Sequence, residues 1–429
     1  MNIKRPPRGM SLSLLALTAI ALAAISNQSA VAADSRDASG TSMLSFSGFG
    51  TLGVVHSSER LADFTNGTLK ATGAGFTDEW SAGVDSTLGA QVVATITPQL
   101  SATVQIVSEQ LTDNSYSPHL DWANVKYQFT PDLSLRVGRT LLSSFMFSDT
   151  RKVGYANPWV RPSVEAYSLV PVTTSDGADA TYKLQLGGVS HTLVGLYGYF
   201  DISLPPNLGG GRAEARRLWQ IADTIEYGPV TVHVTYQSAK ITIAQFNQFF
   251  DAMREFGPQG IKLADRYDQN DKLFRFIGVG AMYDPGKWFA TGEWGNSEFH
   301  SALGRSTAWY VSSGYRLGKF TPYLTFSKIK ADSNRSDPGL DLSLLPPSVS
   351  PVAEEFNAGL NGILRGAAAL QQTVSVGVRW DAYRNAALKL QYDHVDLGTG
   401  SIGTLINVQP AFQPGGTVNL VSVAVDFVL

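Results

Sequence analysis

Six histidines (His56, His119, His191, His233, His300 and His394) and no cysteine face this 429-residue sequence as candidates for nucleophilic or metal chemistry. None of the histidines falls in a nucleophile elbow or an H-E-x-x-H zinc motif. Zero cysteines remove thiolate chemistry and any disulfide scaffold. No catalytic residue, metal ligand or cofactor is expected on these grounds. The charges are more informative. Lys126, Arg136, Lys183, Arg316, Arg379 and Lys389 each sit between two apolar neighbours, and the acids Glu293 and Asp426 are set among apolar residues in the same way. A charge in such a context needs an element that gives it a wet face while its neighbours stay dry.

Strands supply that element. In "VKYQFTPDLSLRVGR", Val125 to Arg139, apolar and polar residues alternate on both sides of Thr130-Pro131-Asp132. Between Val84 and Ile96, the set Val84, Ser86, Leu88, Ala90, Val92, Ala94 and Ile96 falls on one face, with Asp85, Thr87, Gly89, Gln91 and Thr95 opposite. After Thr97-Pro98-Gln99 the pattern returns with Leu100, Ala102, Val104 and Ile106. A period of two marks strands with one apolar and one polar face.

Turn signals recur at Thr97-Pro98, Thr130-Pro131, Gly187-Gly188, Gly228-Pro229, Asp284-Pro285-Gly286, Leu317-Gly318 and Asp381 to Asn385. Seven hairpins, one strand before them (Leu44 to His56) and one after (Val418 to Leu429) make sixteen strands. The opposite connections are long and polar, roughly 57–79, 110–118, 140–177, 199–216, 240–273, 295–306, 330–371 and 396–417. Regularly long loops on one side are foreign to compact soluble domains, and an even strand count suits closure. Tyr127, Phe129, Tyr227, Tyr283, Tyr315, Phe320 and Trp380 all lie beside short turns, as an aromatic girdle requires. The expected fold is all-β, a transmembrane antiparallel β-barrel of sixteen strands with short periplasmic turns and long extracellular loops.

The N-terminus agrees. Lys4, Arg5 and Arg8 precede the apolar run Leu12 to Ile25, and small residues follow at Ser29 to Ala33. This is a secretory signal peptide, 1–33, ahead of a single barrel domain over 34–429. Beyond Ala33 no stretch approaches the ~20 apolar residues of a membrane helix. Removing the three cations takes the formal charge from −3 to −6 (−3 minus +3), which argues against nucleic acid as a partner.

At this point the sequence resembles the Gram-negative outer-membrane porins over essentially its whole mature length. The resemblance rests on "SFSGFGTLGV" (Ser45 to Val54), on "VKYQFTPDLSLRVGR" followed by a long third loop, and on the closing strand "VSVAVDFVL". It implies an outer-membrane trimer, embedded in lipid and lipopolysaccharide, that passes small hydrophilic solutes passively. It also implies a third loop, here about 140–177, that folds inward and narrows the pore. Family members typically end in Phe, whereas this chain ends in Leu429 with Phe427 two places earlier. The Pro-Glu-Phe-Gly-Gly motif of many general porins is absent from the third loop.

Alternation then assigns inward facing. Lys126 and Arg136 fall on adjacent strands, and Lys183, Arg316, Arg379, Lys389, Glu293 and Asp426 point inward by the same rule. A lipid-facing Lys or Arg would cost roughly 2–4 kcal/mol at mid-bilayer. The third loop adds Asp149, Arg151, Lys152, Arg161 and Glu165. Asp149 or Glu165 facing Lys126 and Arg136 would set a transverse field; the bland alternative is that these charges pair within the loop. Two further loops, Ala244 to Phe256 and Val352 to Gln372, read as amphipathic helices over the barrel mouth. A substrate-specific channel is the alternative function, although the inward residues show neither an aromatic ladder nor one sign of charge. An outer-membrane barrel enzyme is a further alternative that no motif supports.

Overall fold

The computed structural model describes residues 43–332 and 336–429; the signal peptide expected over 1–33 lies outside the described residues. Sixteen long strands carry the fold. They are β1 (Leu44–Ser57), β2 (Thr87–Thr95), β3 (Leu100–Glu109), β4 (His119–Gln128), β5 (Leu133–Leu141), β6 (Thr174–Leu186), β7 (Val189–Ser203) and β8 (Arg212–Tyr227). They continue with β9 (Val230–Ile243), β10 (Lys272–Tyr283), β11 (Trp288–Phe299), β12 (Gly304–Tyr315), β13 (Phe320–Ala331), β14 (Leu370–Tyr383), β15 (Ala386–Leu397) and β16 (Gly416–Val428).

Each strand pairs antiparallel with the next, and β1 meets β16 from Phe49 opposite Val428 to Ser57 opposite Leu420. The barrel is closed. Closure leaves no row of unpaired N–H groups, each of which would cost several kcal/mol in lipid. The seam is sealed by aromatic rings over glycines. Phe427 covers Gly50 from outside and Phe49 covers Gly89, so that a side chain at either glycine would collide with the ring.

The short turns fold as their residues dictate. Thr97 and Thr130 each precede a proline, and each hydroxyl accepts the backbone N–H groups two and three residues on. Gly187 and Gly228 take φ of 60° and 53° in two-residue turns, where the left-handed conformation matches strand twist. Above these turns the outward rings form pairs: Tyr127–Phe129 at 4.8 Å, Tyr283–Trp288 at 5.2 Å and Phe320–Trp380 at 5.9 Å.

The long connections depart from expectation at three places. β7 and β8 run on to Ser203 and from Arg212, leaving residues 204–211 as their link. β11 and β12 are joined by only 300–303. Both pairs rise past the lipid, where water on each side removes the alternation that marks a strand. Val84, expected on the lipid face, precedes β2 and is buried with Val55, Phe64 and Val164 in an interior cluster.

Loop helices sit where amphipathic patterns placed them, with two additions. α1 (Val164–Tyr167) lies in the third loop. α2 (Asn247–Arg254) and α4 (Ser350–Ala367) match the two expected helices, and α3 (Pro258–Tyr267) was not read from the sequence. Phe250, Met253, Leu263, Leu340, Leu360 and Leu364 pack these helices into a core of their own. Among the described residues no helix is long and apolar enough to cross a membrane, which says nothing about strands.

Candidate functional site: the third loop and the pore wall

The third loop, residues 142–173, is bonded to inward side chains around most of the wall. Ser143 N–H donates to Gln220 on β8 at 3.1 Å, and Ser144 Oγ donates to Gln237 on β9 at 3.0 Å. Met146 N–H and Tyr167 OH donate to Glu293 on β11, at 2.7 and 2.8 Å. Trp159 Nε1 donates to Ser312 on β12 at 2.7 Å. Arg161 makes the densest anchor. Its Nε donates to Asp85 at 2.8 Å, its Nη1 to Asp393 on β15 at 3.0 Å, and its Nη2 to Ser422 on β16 at 2.6 Å.

These bonds settle what several of the expected site residues touch. Glu165 accepts from Ser327 on β13 at 2.7 Å, from Gln371 on β14 at 2.6 Å and from Thr373. Its partners are therefore on β13 and β14 rather than the Lys126–Arg136 pair. Lys389, expected as a solvated pore-wall charge, is fully buried: it pairs with Asp426 at 2.6 Å and donates to the Gly154 and Trp159 carbonyls of the loop. Arg379 binds Asp381 at 2.9 Å and donates to the carbonyls of Tyr155 and Asn157. Alternation found the inward side of both cations; it could not see that a loop covers them.

Lys152 pairs with Asp121 at 2.7 Å and Glu109 at 2.9 Å, and Lys70 joins from the first loop at 3.2 Å to Glu109. Burial pulls the Lys152 ammonium down, but the two carboxylates outweigh it and hold its pKa above the ordinary lysine value. Arg151 lies over the Tyr167 ring at 5.1 Å. Arg316 grips Asp284 at the β10–β11 turn at 2.7 Å, a bond that holds the Asp284 carboxyl below its usual range.

On β4 the loop bonds only Asp121, near the start of the strand, and among the described residues it makes no side-chain bond to β5 or β6. Lys126 stands directly opposite Arg136, and Arg136 directly opposite Asp179, to which its Nε donates at 2.9 Å. Lys126 and Lys183 form no ion pair within the described residues, and Asp149 forms none on the loop side. A cavity of about 620 Å³ opens beside the loop, lined among others by Lys70, Glu109, Asp121, Arg151, Lys152 and Arg161.

A model of the family described as Gram-negative porin matches residues 16–429. The chain belongs to the Gram-negative porins. The porin also resembles solved structures: DcaP of Acinetobacter baumannii (11% identity, 92% of this chain and 99% of that one, TM-score 0.54) and OmpF of Salmonella typhi (11%, 90% and 97%, 0.53). OmpT of Vibrio cholerae, in its trimer form, is similar at 12% identity over 90% and 99% of the two chains, with a TM-score of 0.51. At such identities the likeness shows the fold. No curated protein matches the chain in sequence. Family membership makes this an outer-membrane channel and not an enzyme.

Sequence reasoning missed Asp85, Asp393 and Gln391, which accepts from the Val160 N–H at 3.2 Å, as partners of the porin's third loop. Asp85 and Asp393 carried the signal, since each is a lone acid at an inward position; Gln391 carried none.

Proposed function

We propose that the pore admits small hydrophilic solutes and ions through the gap between the third loop and the β4–β6 wall, with Lys126, Arg136 and Lys183 on one side and Asp149 and Arg151 on the other. The observation that carries this reading is the distribution of bonds. The loop is tied to β8, β9 and β11 to β16, and through Lys152 to Glu109 on β3 and Asp121 at the start of β4, so the remaining passage runs past β5 and β6 and the far part of β4 that carries Lys126. The loop's Glu165 is engaged in hydrogen bonds, whereas Asp149 on the loop and Lys126 and Lys183 on the wall stay free to meet a solute. Selectivity in a water-filled pore follows such wall charges.

The oligomer is a homotrimer in this reading. Outward side chains of β6 to β14 include Tyr197, Trp219, Trp294 and Trp309, suited to lipid interfaces. Those of β15, β16 and β1 to β4 are mostly Val, Ala, Leu and Gly, suited to close packing against a second copy. The lipid around the trimer is that of the outer membrane, with lipopolysaccharide on the loop side.

Planar-bilayer recording of the refolded protein under a salt gradient tests the proposal. Large ohmic steps in groups of three, with an anion-favouring reversal potential, are expected. Small steps blocked by one class of solute would replace it with a substrate-specific channel. A folded barrel that passes no current would overturn it.

A further inference from the structure

We propose that the outward face of β5 to β8 carries a binding site for a phosphorylated lipid of the outer leaflet. The inference rests on the outer-membrane location and concerns the outside of the barrel, not its pore. A groove of about 730 Å³ opens there, lined by Val137 on β5, Ala178 on β6, Tyr197 and Tyr199 on β7, and Arg216 and Arg217 on β8. The sheet is distorted at this level. β7 slips register between Gly198 and Phe200, and β8 between Arg216 and Trp219, where Arg217 takes a φ of 51°. The slip turns two consecutive arginines outward; both are exposed.

Position and charge select the occupant. Trp219, two residues below Arg217, packs on Tyr236 at 5.2 Å between ring centroids, at the outer aromatic level of the wall. The arginines thus stand where headgroups begin, and the groove beneath them is apolar. The nearby acids are already engaged: Asp176 with Arg139 at 2.7 Å, Asp201 with Arg212 at 2.6 Å, and Glu214 with Arg216 itself at 3.2 Å. Arg217 forms no ion pair within the described residues. An acyl chain lying over Ala178 between the tyrosine and Val137 walls would bring a phosphate to the guanidinium pair. Guanidinium is well suited to phosphate because its planar donors bind two oxygens together.

The test is native mass spectrometry of the refolded chain in detergent, titrated with bisphosphorylated lipid A and with its fully dephosphorylated form. The wild type should retain the phosphorylated lipid. The double variant Arg216→Gln/Arg217→Gln should weaken that retention about tenfold or more, in line with losing charge-assisted bonds. Ala178→Phe, which fills the groove without touching charge, should weaken it too. Equal retention of both lipid forms, loss of the bound lipid to inorganic phosphate alone, or an unchanged affinity in both variants would overturn the site. So would a lipid-insensitive higher oligomer that the arginine variants dissolve, since the face would then meet protein. Single-channel recording of the same samples separates the readings. Channels without lipid selectivity defeat the site alone, and a silent barrel defeats the pore.

Discussion

At the scale of single residues, function divides between charges that are spent on holding the loop and charges left for solutes. Arg161 belongs to the first kind. Its removal would leave Asp85 and Asp393 buried without a counter-charge, and breaking a buried pair in this way costs roughly 3–5 kcal/mol. Arg161→Leu is therefore expected to release the loop and raise single-channel conductance while the barrel stays folded. Lys126 belongs to the second kind. Lys126→Glu should move the reversal potential toward cations at unchanged conductance per step, and an unmoved potential would remove Lys126 from the selectivity of the pore. Tyr167 adds a pH dependence. Burial first, and then the neighbouring Glu293 charge, push its phenol well above the ordinary value of about 10. A raised folded-state pKa gives stability that is complete below about pH 10 and is lost as pH climbs beyond it. Channel noise should grow above about pH 10 as the loop loosens. Tyr167→Phe should flatten that rise, only in part because Tyr310 donates to the same Glu293 oxygen at 2.8 Å.

At the scale of elements, the strands were readable and the loop's anchors were not, for one physical reason. Lipid on one face and water on the other force a period of two, so the turns at Thr97, Thr130, Gly187 and Gly228 and the inward sides of Lys126 and Arg136 follow from neighbours in sequence. Where water meets both faces, as in the upper parts of β7, β8, β11 and β12, that force vanishes and the strand ends with it on paper alone. The partners of Glu165 and Lys389 lie far along the chain, and no local pattern encodes a contact between residues 165 and 373. The β1–β16 seam is a second case. Phe427 and Gly50 are direct Cα partners, each unremarkable alone. Phe427→Ala should destabilise the closed barrel by about 3–5 kcal/mol, seen as a lower temperature for loss of the compact band on unheated gels. An unchanged transition would show that the ring does not seal the seam.

At the scale of the whole molecule, the uneven outer surface gives an oligomer its direction. A tryptophan is welcome against lipid but too large for a packed subunit face. Val92→Trp and Val423→Trp should therefore yield monomers that still conduct, measured by native mass, whereas Val311→Trp on β12 should leave the trimer intact. Trimers surviving the first two variants would place the interface elsewhere. The Arg161 anchor also orders events in time. Its partners come from residue 85 near one end of the chain and residues 393 and 422 near the other. The narrow passage therefore cannot exist until the first and last strands have met. A barrel caught before that moment would be an unobstructed hole, so the step that seals the wall against lipid is also the step that keeps the newborn channel from leaking.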